Sequence, residues 1–445
     1  MNNNKKVFLL VDAVKSVLFI LAMIAGLVIS FLLFLRPTVS ENEKRELAKF
    51  PEYSADALIS GSYFRDIDTW FSDTFPFREQ LISAYTSIQS FYGVNTTQIH
   101  GNVDEGDDIP DVPKKPADKD ETSDSTSSSA TSSWDIPDLK EPEDAAETLG
   151  GILLVGDTAY EYYNFNTKLA DRYSAAINAA SNILSEATVY DMVVPTSISI
   201  TLPDNLKSTV KSSDQRKAID YLYGSMGDKV KCVDIYDSLL SHRNQYIFFR
   251  TDHHWTQLGA YYAYERFAEV KGVAPFLLGN SEIVNYEGFL GSFYAGTNKN
   301  AKMEKNPDDV MTIKAYKDAH MNVYRKDGSL LYSDYPIIQN VSNYNASNKY
   351  ASAFIAGDNP FTTIVNNEVT DGSSCVVVKE SFGNAFVPLL VPHYQNIYVV
   401  DYRYYQGSLK QLVADNAVQD IIFVNNISAT RSSMLIGNLE QLIAR

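Results

Sequence analysis

Apolar and polar positions divide this chain into four stretches. Ser16–Leu35, "SVLFILAMIAGLVISFLLFL", is an uninterrupted apolar run of about the length that crosses a bilayer as a helix. Residues 55–92 show helical spacing instead: Ile59, Phe64, Ile67 and Trp70 can share one face. "DTFPFR" breaks that run, and Leu81, Ala84, Ile88 and Phe91 begin a second one. Residues 103–147 contain almost no apolar positions and are acidic, Pro-containing and Ser/Thr-rich. Such a stretch buries too little surface to offset the entropy of ordering, and we read it as a disordered linker.

From residue 148 onward, short apolar runs alternate with amphipathic ones. "GGILLVG" and "EATVYDMVVPTSISI" contain short strand runs, and "KVKCVDIYDSLL", "SSCVVVKE", "NIYVVDYRYY" and "VQDIIFVNNIS" read as strands. "DRYSAAINAASNILSE", "SSDQRKAIDYLYGSMGD", the run starting near Gln257, "SFGNAFVPLLVPHY", "QGSLKQLVADNA" and the C-terminal "ATRSSMLIGNLEQLIAR" read as helices. The alternation predicts an α/β domain over 148–445: a three-layer α/β/α arrangement around a mainly parallel sheet. Residues 275–372 break the alternation and read as an insertion with β-hairpins, one of them marked by the Asp-Gly turn of "RKDGSLLY".

Charge and flanking residues refine the N-terminal half. Lys5, Lys6 and Lys15 precede the apolar run and Arg36 follows it, with no small-residue cleavage site close by. The pattern predicts an uncleaved signal anchor, with a cytoplasmic tail at 1–15 and a membrane span at 16–35. The protein is then single-pass in the cell membrane, with everything after residue 36 extracellular. Residues 37–102 become a stalk and N-terminal helices that pack on the catalytic domain. The net charge of −17 argues against nucleic-acid binding. Residues 103–147 carry fifteen acidic against four basic side chains, so the rest of the chain is only mildly acidic. Cys232 and Cys375 lie in strand-like runs without metal-ligand spacing and read as two buried thiols, with a disulfide the alternative.

The candidate chemistry lies in "TDHHW", residues 251–255, where two of only six histidines sit side by side. A metal site needs three or four ligands. Asp252, His253 and His254 supply at most three, and His100, His242, His320 and His393 are scattered, so no metal and no cofactor is implied. A cap reading accounts for Asp252 or Thr256 before a helix at Gln257. An acid/base reading accounts for more. Asp252 can accept from His254 Nδ1 if the backbone turns between them, which leaves Nε2 free to take a proton. The partner nucleophile is Ser381 in "VVVKESFGNAF", at a strand end and before a helix N-terminus. Gly383 allows a close approach there. Gly407, after "YVVDYRYY", can add a backbone N–H to an oxyanion site, and Asn425 or Asn426, at the end of "IIFVNN", a side-chain N–H. Tyr402, Arg403 and Tyr404 flank one of these strand ends, and Trp255 and His253 flank the base. They are the candidate substrate contacts, with a structural salt bridge the alternative for Arg403.

Serine, glycine, asparagine and histidine at successive strand ends resemble the SGNH (GDSL-like) hydrolase superfamily. "TDHHWTQLGAYYAY" at 251–264 and "KESFGNAFVPLL" at 379–390, with "VVDYRYYQG" at 399–407, resemble its DHHW branch. The N-terminal "SENEKRELAKFPEYS" and "FSDTFPFRE" are similar to that branch as well. The branch is similar to the exported proteins that O-acetylate alginate. The resemblance implies a Ser381–His254–Asp252 triad, with Gly407 and Asn426 (or Asn425) at the oxyanion. It also implies O-acetyl transfer to a cell-surface polysaccharide through an acetyl-serine, with a membrane-bound O-acyltransferase as partner. The chain departs from the ordinary "GDS" form in having Lys379-Glu380 before the serine.

Overall fold

The computed structural model describes residues 36–40, 45–46, 48–54, 58, 62–77, 106–110, 146–149 and 151–445, except 209 and 298. The expected anchor at 16–35 and the second N-terminal helix near 81–91 lie outside these residues. Among the described residues no helix is long and apolar enough to cross a membrane. The chain divides into two compact units, 1–96 and 97–445. In the first, Val39–Ser40 pairs antiparallel with Arg45–Glu46, and a helix spans Ser62–Asp73. Arg36 closes that helix by donating to Phe71 O and Thr74 Oγ1, and its guanidinium lies over the Trp70 ring. The helix ends where "DTFPFR" predicts, but Phe64 is exposed, unlike its neighbours Ile67 and Trp70.

The second unit is built on one eight-stranded sheet. Its strands in chain order are β1 (Thr188–Val194), β2 (Val230–Cys232), β3 (Ala319–Tyr324), β4 (Leu330–Tyr335), β5 (Phe361–Asn366), β6 (Ser374–Lys379), β7 (Asn396–Asp401) and β8 (Asp420–Asn426). The spatial order is β4-β3-β5-β7-β6-β8-β1-β2. Five neighbouring strands, β7 to β2, are parallel, and β5, β3 and β4 continue the sheet in antiparallel fashion. The 275–372 stretch is therefore no mere insertion: three of its strands complete the central sheet. The Asp327-Gly328 turn joins β3 to β4, with Gly328 at φ 80°. The remaining strand pair of that stretch, Glu282–Phe289 with Asp308–Lys314, forms a separate antiparallel sheet.

The main helices are α1 (Thr167–Ile183), α2 (Gln215–Gly224), α3 (Gln257–Lys271), α4 (Gly383–Leu390), α5 (Leu409–Asp415) and α6 (Ser433–Ala444). Two adjacent residues of β1 show how they are layered. Tyr190 meets Phe267 of α3, ring centroids 5.2 Å apart, while Asp191 accepts from the Tyr173 hydroxyl of α1 at 2.7 Å. Successive strand residues point to opposite faces, so α1 and α3 cover opposite sides of the sheet. The central strand β6 is buried along its whole length, which accounts for its unbroken apolar run "CVVV" rather than an alternating one.

Three other expectations change. "ILLV" does not join the central sheet but forms Ile152–Val155 of a three-stranded antiparallel sheet with Ala146–Leu149 and Thr158–Glu161. "KVKCVDIYDSLL" is strand only over β2, and Tyr236–Ser241 turns helical. Residues 106–110 of the expected linker are placed on the domain: Asp107 N donates to Phe165 O, Asp107 Oδ2 accepts from Thr167 N, and Ile109 packs on the core. Of the rest of the linker, 103–105 and 111–145 lie outside the described residues, and 146–147 belong to the strand Ala146–Leu149. Cys232 and Cys375 are both free. They sit on β2 and β6, three strand spacings or about 14 Å apart, beyond the about 7 Å that a disulfide spans.

Asp191 is fully buried, and burial pushes its carboxyl up to about 7 despite the Tyr173 hydrogen bond. Its Oδ2 has no partner. The native state thus binds a proton that the unfolded state releases, between the unfolded value of 3.8 and about 7. Stability falls as pH rises through that window. Asp191→Asn, which cannot ionise, is expected to raise Tm by several degrees at about pH 8, with the gain vanishing near pH 4. Thermal melts of both proteins across that range check it.

Candidate active site

The parallel strands deliver three chain ends to one edge. In register, Lys379 at the end of β6 lies beside Asp401 of β7 and Val424 of β8. The next residues along, Glu380 and Ser381 after β6 and Asn425 and Asn426 at the end of β8, project where parallel α/β sheets place their chemistry. Ser381 is half-buried in the turn before α4. Two backbone bonds shape that turn: Gly383 N to Glu380 O at 3.0 Å and Asn384 N to Ser381 O at 3.1 Å. Gly383 is required because the Lys379 side chain runs under it. A Cβ at that position would lie 2.5 Å from Lys379 Cβ.

The histidine pair arrives on a separate loop. Phe248 and Trp255 pair as an antiparallel bridge, and residues 249–254 form the loop between them. Asp252 Oδ1 accepts from His254 N at 3.0 Å, a local turn in which the side chain bonds backbone two residues on. The same oxygen meets His254 Nδ1 at 2.6 Å, and His254 Nε2 meets Ser381 Oγ at 2.8 Å. The ring order fixes the tautomer: Nδ1 donates to the carboxylate, and Nε2 faces the serine. Asp252 Oδ2 accepts from Ser292 N at 2.7 Å. Burial opposes the Asp252 charge, but the charges of His254 and His253 and the Ser292 N–H outweigh it, and the carboxyl stays well below its usual range.

The other predicted residues separate by environment. His253 is half-buried, with Nδ1 2.6 Å from Ser292 Oγ and its ring against that of His254. Burial and the neighbouring His254 lower its pKa. Thr256 is the cap of α3, accepting from Gly259 N. Trp255 is completely buried and cannot touch substrate. Its Nε1 donates to Phe382 O at 2.9 Å and pins the base loop to the nucleophile turn. Asn425 turns to the opposite face, where its Nδ2 meets the Tyr173 hydroxyl at 3.2 Å. Asn426 stays at the edge: its Oδ1 accepts from Ser428 N, and its buried Nδ2 has no partner. Among the described contacts, none ties Gly407 to Ser381; a Cβ on Gly407 would meet the Tyr405 hydroxyl at 2.3 Å. Tyr402 is buried, and burial with the Glu380 charge pushes its phenol well up. Arg403 is committed to Asp401, at 2.8 and 2.6 Å, and to Asp358 at 2.9 Å, so it is the structural ion pair. Tyr404 is exposed and lies under that guanidinium.

Asp252, His253 and His254 offer three metal-ligand atoms within 4.8 Å of one another. Those atoms are already engaged: Asp252 Oδ1 with His254 Nδ1, and His253 Nδ1 with Ser292 Oγ. Such internal pairing suits proton transfer better than ligation.

Sequence reasoning missed several supporting residues. Asp308, fully buried, accepts from Arg250 N and Nε, from Thr251 N and Oγ1 and from the Tyr246 hydroxyl, and so anchors the base loop just before Asp252. Tyr350 stacks on His254 at 4.5 Å, and its buried hydroxyl has no partner. Gly291 leaves room for the Asp252 carboxylate. All three lie in 275–372, where periodicity breaks down, and no local signal marks them.

With this geometry established, comparison with known proteins is direct. The DHHW protein family profile matches residues 43–138 and 134–400. The chain belongs to the DHHW family. A crystal structure of a DHHW family protein from Eubacterium siraeum is 27% identical, with a TM-score of 0.61, covering 66% of this chain and 97% of that one. Bacillus cereus PatB1 is 19% identical, with a TM-score of 0.54, covering 66% of this chain and 99% of that one. PatB1 has also been crystallised with a sulfonyl adduct. A search of the curated proteins finds no match. These structures share the mixed α/β fold with its large sheet, as the SGNH-like resemblance implies.

A methyl group at Gly291 would stand 2.2 Å from Asp252 Oδ2 and 2.3 Å from its Cβ. Gly291→Ala must therefore displace the carboxylate that orients His254. The expected result is a fall of about 10²-fold or more in the rate of Ser381 modification by a serine-directed reagent, with the circular dichroism spectrum unchanged. An unaltered rate would show that Asp252 does not orient the base.

Proposed function

We propose that this DHHW protein is a serine acyltransferase that moves acetyl groups onto a polysaccharide hydroxyl. The observation that carries the reading is the continuous chain Asp252 Oδ1–His254 Nδ1, His254 Nε2–Ser381 Oγ, at 2.6 and 2.8 Å, joining two loops 127 residues apart in sequence. Hydrogen-bond reach between nucleophile and base, with a third group orienting the base, is what nucleophilic catalysis requires. His254 takes the Ser381 proton as Oγ attacks the acetyl carbonyl. The tetrahedral intermediate collapses to an acetyl-serine as His254 returns the proton to the leaving group. A sugar hydroxyl then gives its proton to His254, attacks the ester, and leaves acetylated while Ser381 regains its proton. The unpartnered, buried Asn426 Nδ2 is a donor available to the oxyanion, which the backbone amide of Ser381 would also serve. Asn426 is preferred to Asn425 on this ground, and Gly407 N–H remains a candidate second donor.

The acceptor, the donor and the location belong to the same proposal. Water in place of the sugar would make the protein an acetylesterase, and loss of the nucleophile's reactivity would leave a surface scaffold. The polysaccharide, the membrane-bound O-acyltransferase that supplies acetyl groups, and the single-pass anchor with the catalytic unit outside the cell rest on the family resemblance and on the apolar run 16–35.

The test has two parts. A sulfonyl fluoride is expected to label Ser381 in the folded protein, and not Ser381→Ala, by intact-mass spectrometry. With p-nitrophenyl acetate as donor, His254→Ala should lose about 10³-fold or more of the activity and Asn426→Ala about 10²-fold. Added oligosaccharide should become acetylated at the expense of free acetate; acetate release alone would make the protein an esterase. A folded protein that takes no label at Ser381 would sink the acyl-serine mechanism altogether.

A further inference from the structure

Glu380 lies between the nucleophile and the oxyanion strand and is almost fully buried. Its Oε1 accepts from Asn426 N at 2.9 Å. Its Oε2 accepts from Phe382 N at 3.2 Å and lies 3.1 Å from Ser381 Oγ. The serine hydroxyl has one proton and faces two acceptors, His254 Nε2 at 2.8 Å and Glu380 Oε2 at 3.1 Å. Only the first of these bonds leads to chemistry. A carboxylate at Oε2 draws the proton the wrong way, and it also places a buried negative charge beside the oxygen on which the tetrahedral intermediate is built.

On the acyl-serine reading above, we propose that Glu380 is a further catalytic residue that works as the neutral acid. Protonated at Oε2, it donates to Ser381 Oγ, frees the serine hydroxyl proton for His254 and removes the opposing charge. No bond beyond this proton's position changes: Oε2–H replaces Oγ–H as the donor between the two residues, and Oγ–H turns to Nε2. The same donor then lies on Oγ when that oxygen becomes the leaving group as the acceptor takes the acyl group.

The surroundings of Glu380 are consistent with this role. Burial raises its carboxyl. The Arg403 charge and the Asn426 and Phe382 N–H groups pull it down, Asp358 pushes it up, and the balance is raised. Arg403 is itself held by Asp401 and Asp358, so its charge is largely spoken for. The other titratable groups facing Glu380 are the phenols of Tyr350 and Tyr402 and the imidazole of His253, besides His254 across the serine.

The test is the pH dependence, from about pH 4 to about pH 9, of Ser381 sulfonylation and of p-nitrophenyl acetate turnover in the full chain. The expected wild-type profile falls on its alkaline side as Glu380 ionises. Glu380→Gln keeps an acceptor for Asn426 N and a donor for Ser381 Oγ, losing only the Phe382 N contact, and cannot ionise. It is expected to lack the alkaline fall and so to exceed wild type on the alkaline side of the profile. Glu380→Ala serves if the glutamine variant does not fold, and it too must lose the fall. A wild-type profile that rises once to a plateau, or an alkaline fall that survives removal of the carboxyl, overturns the role of Glu380 and leaves the triad intact. Absence of labelling at every pH instead overturns the acyl-serine reading.

Discussion

Lys379 can occupy the end of β6 only if acids come to it. Its side chain is completely buried, and an ammonium taken out of water without partners costs several kcal/mol or more. Three segments supply what it needs. Asp401 comes from the end of β7 at 3.1 Å, Asp358 from the loop before β5 at 3.2 Å, and Asn384 from α4 at 2.7 Å. Arg403 then closes the cluster over the two acids. The consequence is geometric. The cluster ties the C-terminal ends of β6 and β7, the start of α4 and one loop to a single point, two residues before Ser381. It also explains why Gly383 has no side chain and why Arg403 is not available to substrate. The lysine in "KESFGNAF", which makes this motif differ from the "GDS" form, holds the turn at Ser381 in place through this ion cluster.

The base loop is fixed independently and then joined to that turn. Asp308 holds its entrance by accepting from four donor groups of Arg250 and Thr251 and from Tyr246. Thr256 holds its exit by capping α3. Trp255 Nε1 and Gln257 Nε2 then reach across to Phe382 O and Ala385 O. The serine–histidine hydrogen bond thus joins two loops that each carry their own set of buried hydrogen bonds.

How much of this was legible in the sequence depends on whether the signal is periodic or singular. The unbroken apolar run of β6 and the alternation after residue 374 gave the parallel part of the sheet and the strand end at Ser381. The Asp-x-His spacing gave the turn at 252–254, because a carboxylate two residues before an amide has one short way to bond it. What was lost lies where the chain turns antiparallel. Strands β3, β4 and β5 look like hairpins by themselves, and only long-range pairing to β7 shows that they extend the sheet. Asp308, Gly291 and Tyr350 act through contacts 40 to 100 residues away, so each looks like an ordinary loop or hairpin residue until the chain is folded. Trp255 misled in the other direction: its neighbours made it look like a ligand platform, whereas its indole N–H serves the main chain of the nucleophile turn.

The doublets of the site show how backbone parity turns similar residues to different ends. Asn425 and Asn426 close the same strand, and the alternation of side chains sends the first to Tyr173 under the sheet and leaves the second at the edge with a free donor. His253 and His254 share one carboxylate as neighbour, but the turn at Asp252 gives His254 the short bond and leaves His253 at 3.7 Å, bonded instead to Ser292. Lys379 and Glu380 follow the same logic at the end of β6. The lysine turns into the buried ion cluster and the glutamate turns to the serine, so the positive charge that would hold Glu380 ionised is kept on the far side, neutralised by Asp401 and Asp358. A strand end with the two residues exchanged would bring the ammonium to the nucleophile and the carboxyl to the acids. The order lysine then glutamate therefore decides which of the two side chains meets Ser381.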